Sequence, residues 1–105
     1  MVDCQFSNKA FSIKVYDRNM EPAIPENAVV VVEPLLQPEN RDFVFTRNHE
    51  KFYIKCYIKK GVNQFLLPCL NNPETLEEFS PSEETIIGTI VRVIYGRKGG
   101  LHDLT

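Results

Sequence analysis

The chain has little of what several function classes require. Its longest apolar run, Ala28 to Val32, is far short of the roughly 20 residues that span a bilayer. The N-terminus lacks the basic-then-apolar order of a signal peptide, so a soluble, cytoplasmic protein with no membrane contact is expected. Cysteine is scarce: Cys4, Cys56 and Cys69 form an odd set with no CxxC pair, which suits a reducing compartment and not a disulfide framework. Neither these thiols nor His49 and His102 have zinc-ligand spacing, and no metal or cofactor is expected. Positive charge is not in excess either. Twelve Lys and Arg against fourteen Asp and Glu give a formal net charge of -2, without the field of a domain that grips nucleic acid alone. Internal repeats and low-complexity tracts are absent as well.

What is present is an ordinary globular balance, 43% hydrophobic and 25% charged, over 105 residues, enough for a single core. Period-two alternation in "FSIKVY" places Phe11, Ile13 and Val15 on one side of a strand over 11–16. "MEPAIPEN" carries two prolines and predicts a turn or a single helical turn. "AVVVVE" is apolar on both faces and predicts a strand over 28–33 covered on both sides. "FVFTR" and "FYIKCYIKK", joined by the polar "NHEK", read as a hairpin with strands at 43–47 and 51–59. In its second strand Phe52, Ile54, Cys56 and Ile58 share one face, and Tyr53, Lys55 and Tyr57 share the other.

A short strand is expected at 64–67, then the long polar excursion "CLNNPETLEEFSPSEE", then a closing strand over 86–95. Residues 1–10 read as a lead-in, 11–95 as the domain and 96–105 as a flexible tail. Short strands joined by turns, with almost no helical periodicity, make a mainly β domain: a strongly bent sheet or partial barrel with no helix longer than about three turns.

One constellation carries chemistry. A serine hydroxyl can be activated by a lysine whose buried amine is neutral. The segments "FSIKV", "DRNMEP", "ENAVVVV", "PENRDFVF", "FYIKCYIKK", "LLPCLNNP" and "TIIGTIVRVI" follow in order the pattern of one such family, over residues 11–95. In that family a strand leads to Gly-Asp/Met-Ser-Met-x-Pro; Gly-Asp elements, a Thr-Val-Lys-Arg strand, Leu-x-Pro-x-Asn and Ile-x-Gly-x-Val follow. The chain thus resembles the LexA-like serine-lysine peptidases, the C-terminal domains of LexA, UmuD and the lambda-type phage repressors, with a signal-peptidase-like fold.

The resemblance carries the general-base position onto Lys55 and the serine position onto Asn19, whose amide cannot form an acyl-enzyme. Taken alone, Lys55 reads as an exposed strand lysine beside Lys59 and Lys60. Ser12 and Cys56 are not placed to substitute, since Cys56 faces the opposite side of the strand from Lys55. The family's glycines fall on Asp17, on Glu26-Asn27 or Asn27-Ala28, and on Arg41-Asp42; left-handed backbone suits Asp17 and Asn27 but not Arg41. No Ala-Gly or Cys-Gly dipeptide of the cleaved type precedes Phe11.

The resemblance therefore implies a pseudoenzyme, the dimerisation or regulatory half of a prophage-repressor-like, SOS-response-like transcription regulator. It would pair as a homodimer through the closing strand, Thr85 to Tyr95, and reach DNA only through an upstream domain outside this chain. Two alternatives stay open: a self-cleaving peptidase blocked by an introduced asparagine at position 19, and a free-standing partner-binding module. On the inactive reading the Asn19 carbonyl is expected to accept a hydrogen bond from Lys55.

Overall fold

The computed structural model describes residues 7–95, so most of the expected lead-in and all of the expected tail lie outside it. Seven strands form one sheet: β1 (Phe11–Lys14), β2 (Val29–Glu33), β3 (Phe43–Asn48), β4 (Lys51–Lys60), β5 (Asn63–Leu67), β6 (Glu77–Glu78) and β7 (Glu84–Ile94). They run antiparallel in the order β1-β2-β7-β3-β4-β5-β6. The end strands β1 and β6 do not pair, so the mainly β expectation holds as an open sheet and not as a closed barrel. The only helical element among the described residues is a 3-10 turn at Pro73–Thr75, and none is long and apolar enough to cross a membrane.

The alternation of β4 sets the two faces of the sheet. Cys56 joins the larger core, where Val15, Met20, Ile24, Val30, Val32 and Leu67 meet. Tyr57, one residue on, joins a smaller core with Val44 and Leu66 on the other face, covered by Phe79 and Ile86. In the valine strand Val30 and Val32 are buried while Val29 and Val31 are half-buried, so the cover expected on both faces is complete on one only.

The expected turn after β1 forms a compact cap. Ile24 N–H donates to the Met20 carbonyl at 2.8 Å, one helical turn that drives both side chains into the larger core. The polar excursion holds more structure than its composition announced. Asn72 accepts from Glu74 N–H and starts the 3-10 turn, Leu76 packs on the larger core, and Phe79 N–H donates to Gln64 O at 2.9 Å. A two-residue strand, β6, results; its Glu-Glu sequence carries no apolar period to betray it.

β7 lies inside the sheet, and it begins at Glu84, ahead of the predicted position 86. Register shifts at Val31/Val32 and Phe45/Thr46 bracket Gly88, where a Cβ would lie 2.7 Å from Val32 Cγ1 and 2.9 Å from the Glu33 carbonyl oxygen. Only glycine allows β7 to approach β2 this closely.

Candidate functional site

Asn19 and Lys55 line one cleft of about 250 Å³, together with Asp17, Asn48, Tyr53 and Glu77. Elements far apart in sequence bring them there. Asp17 Oδ1 accepts from Asn19 N–H at 3.0 Å, and Leu70 N–H donates to the Asn19 carbonyl at 2.7 Å. The Asn19 backbone is therefore pinned between its own turn and the chain after β5, while its side chain is exposed at the cleft. Asp17 does not take the left-handed conformation its identity allowed; its carboxylate caps the turn instead.

Lys55 is not an exposed strand lysine: it retains 5% of its accessible surface. Its register opposite Val44 places its side chain on the face of the smaller core, beside Thr46 and Glu84. Its ammonium pairs with Glu84 Oε2 at 2.8 Å and Glu77 Oε1 at 3.0 Å, and lies 4.8 Å from the centre of the Tyr53 ring. Thr46 Oγ1 donates to the same Glu84 oxygen at 2.6 Å. Two carboxylates and an aromatic face thus surround an amine with three donors. The expected bond from Lys55 to the Asn19 carbonyl is not formed among the described residues; the carboxylates take its place because they are stronger acceptors than an amide.

Burial is the largest single influence on Lys55 and opposes its charge. The hydrogen bonds and charges of Glu84 and Glu77 together outweigh it, and the ammonium loses its proton only above the usual lysine range. Cys56 sits in the larger core, its Sγ meets the Arg41 carbonyl at 3.8 Å, and burial pushes its thiol up.

Thr46, Tyr53, Glu77 and Glu84 were not singled out from the sequence as site residues. Hairpin register alone pairs Thr46 with Tyr53, next to Lys55, so those two were within reach. Glu77 and Glu84 come from the polar excursion and the start of β7, where neither alternation nor spacing marks them.

Asn27 and Arg41 both hold positive φ, 75° and 76°, the conformation the family's glycines supply. Arg41 adopts it against its side-chain preference. Among the described residues no three His, Cys, Asp or Glu side chains are grouped to hold a metal ion. A family model described as Peptidase S24-like matches residues 2–91. No curated protein matches the chain.

Proposed function

We propose, from the premise that the chain belongs to the Peptidase S24-like family, that it is a member without peptidase chemistry, serving as the dimerisation and regulatory half of a prophage-repressor-like transcription regulator. The observation that carries the loss of chemistry is the setting of Lys55. Serine-lysine cleavage needs a hydroxyl and a neutral amine side by side. Here the residue facing the cleft is Asn19, and the amine is held charged by Glu77 and Glu84. Both halves of the dyad are changed, so replacing the asparagine alone does not supply the missing base.

A dimerising role is supported by the far half of β7. β3 accompanies β7 only from Glu84 to Thr89, whereas β2 accompanies it from Thr89 to Ile94. Residues 90–94 therefore have a strand neighbour on one edge only among the described residues. Ile94 and Tyr95 stay 39% and 49% exposed at its end. A bare apolar edge of this kind favours pairing with another strand, and two-fold symmetry supplies an identical one.

The test uses the chain joined to whatever precedes it in the full-length protein, incubated at alkaline pH and followed by mass spectrometry. The protein is expected to stay intact. Asn19→Ser alone is expected to give little or no cleavage, because Glu77 and Glu84 still hold Lys55 protonated. Efficient self-cleavage by that single variant would mark the asparagine as a block on a working peptidase and overturn the proposal. Dimeric binding to an operator by the full-length protein, and its loss when this domain is removed, separates a regulator from a free-standing binding module.

A further inference from the structure

We propose that a hollow on the face of the smaller core is a docking pocket for a partner protein, and that it takes one arginine side chain of that partner with apolar residues on either side of it. The inference does not depend on the dimeric regulator reading. The hollow has a volume of about 330 Å³ and shares no lining residue with the cleft that holds Asn19 and Lys55. The chain after β2 gives it Pro34, Leu36 and Pro38, and the chain ahead of β7 gives it Phe79 and Pro81. Tyr57 and Ile86, both of the smaller core, line it from the sheet. Its volume lies at the low end of the range of about 300–1,000 Å³ that holds a small molecule, a space suited to one long side chain.

Charge selects the occupant. No Lys or Arg lines the hollow, and its one charged residue is Glu84, which is 6% exposed. Glu84 Oε2 serves both Lys55 and Thr46, whereas its Oε1 has no hydrogen-bond partner among the described residues. Lys55 is the single cation for two carboxylates, Glu84 and Glu77, so the cluster carries one negative charge in excess. A second cation at Glu84 balances it. Gln64 supplies a further acceptor: its Nε2 donates to Tyr57 Oη at 2.7 Å, which leaves its carbonyl oxygen without a partner among the described residues.

A guanidinium suits these groups better than an ammonium does. It is planar, weakly hydrated and carries five donors in a fork, so it meets separate acceptors while its face lies on Phe79 and its stem on the prolines. The rim favours a protein as the source of that group. Leu36 is 48% exposed at the hollow, and Leu35 beside it in sequence is 68% exposed. Two bare leucines next to a pocket with a buried polar group match the centre of a protein interface, where arginine is among the residues that contribute most.

The experiment is a nuclear magnetic resonance titration of the full chain with three probes: acetyl-Leu-Arg-Leu-amide, the same peptide with citrulline in place of arginine, and propylguanidinium. The arginine peptide is expected to shift the Tyr57, Gln64, Thr85 and Ile86 amide signals saturably, with a Kd of about 1 mM or tighter. Citrulline keeps the shape and loses the charge, so its peptide should bind at least about tenfold more weakly. Gln64→Lys puts a cation at the hollow from an exposed position, without opening the core, and should abolish the shifts. Equal binding of the two peptides, shifts that persist in Gln64→Lys, or no saturable shift up to about 20 mM would overturn the pocket. Propylguanidinium binding as tightly as the arginine peptide would overturn a protein as the source of the cation. Movement of the same four signals on diluting the native chain alone would show a second copy in the hollow and overturn the partner protein too.

Discussion

Arg41 holds φ at 76° with its side chain in solvent, so its conformation is imposed by the turn and not by any contact of the guanidinium. Main-chain bonds impose it: Arg41 N–H donates to the Tyr57 carbonyl and Tyr57 N–H to the Asp42 carbonyl, each at 2.7 Å. A side-chain-bearing residue in this region costs about 1 kcal/mol or more relative to glycine. Arg41→Gly is therefore expected to raise stability by about 0.5–1 kcal/mol, part of the gain being offset by the freer unfolded chain. Asn27 tolerates its 75° better, and Asn27→Ala should lower stability by about 1 kcal/mol. Denaturant midpoints at unchanged slope measure both. Opposite signs at two positions of like φ would confirm that backbone, not side-chain contact, decides there. The sequence made Asn27 legible, since its side chain tolerates left-handed backbone, but Arg41 takes that conformation against the expectation because the turn's main-chain bonds demand it. Asp17 was misread because the same residue type also caps a turn through its carboxylate, and composition does not say which use the fold makes.

Strand β4 was legible in its extent and its alternation, but not in what covers it. Lys55, Lys59 and Lys60 are chemically alike in the sequence, yet Lys55 alone among them is buried. Its cover comes from β6 and the start of β7, separated from it by a polar excursion whose strand is only two residues long. No local period reports such a partner. The buried pair makes the element sensitive in a specific way. Lys55→Met leaves the Glu84 carboxylate buried with only Thr46 and is expected to cost about 3 kcal/mol. Lys55→Met with Glu84→Leu should recover most of that loss, since well-packed apolar groups replace a buried ion pair at little net cost. The pH dependence follows from the direction of the shift. The folded lysine binds its proton more tightly than the unfolded one, so its stabilising contribution is complete below the ordinary lysine value of about 10.4. It is lost as pH rises through the higher folded value. The advantage of the native chain over Lys55→Met should therefore be level through neutral pH and shrink in strong alkali, as followed by denaturant titration.

At the scale of the whole molecule, β7 is the strand on which the regulator reading depends, and its position gives that reading a narrower form than the sequence allowed. An apolar closing strand suggested pairing along its full length from Thr85 to Tyr95. In the sheet, β3 occupies one edge as far as Thr89 and β2 occupies the other from Thr89 onward. Self-association through main-chain pairing of β7 would therefore be confined to residues 90–94, on the edge that β3 leaves open. A contact that short needs flanking side chains to reach the area of a stable interface, about 1,000 Å² or more in total. Ile94 and Tyr95 are the exposed apolar groups placed to supply it. Antiparallel pairing of two such edges brings the exposed Arg92 of each copy near the other strand, so a second cation nearby should be poorly tolerated. Ile94→Lys is expected to convert a dimer into a monomer in light scattering while leaving the unfolding midpoint of the monomer nearly unchanged. Arg92→Ser should strengthen or preserve the dimer, because it removes the like-charge pair that two-fold symmetry repeats, whereas Arg92→Glu would only change that pair's sign. A native chain that stays monomeric at high concentration would leave the open edge of β7 without a symmetric partner. The regulator reading would then yield to that of a free-standing binding module.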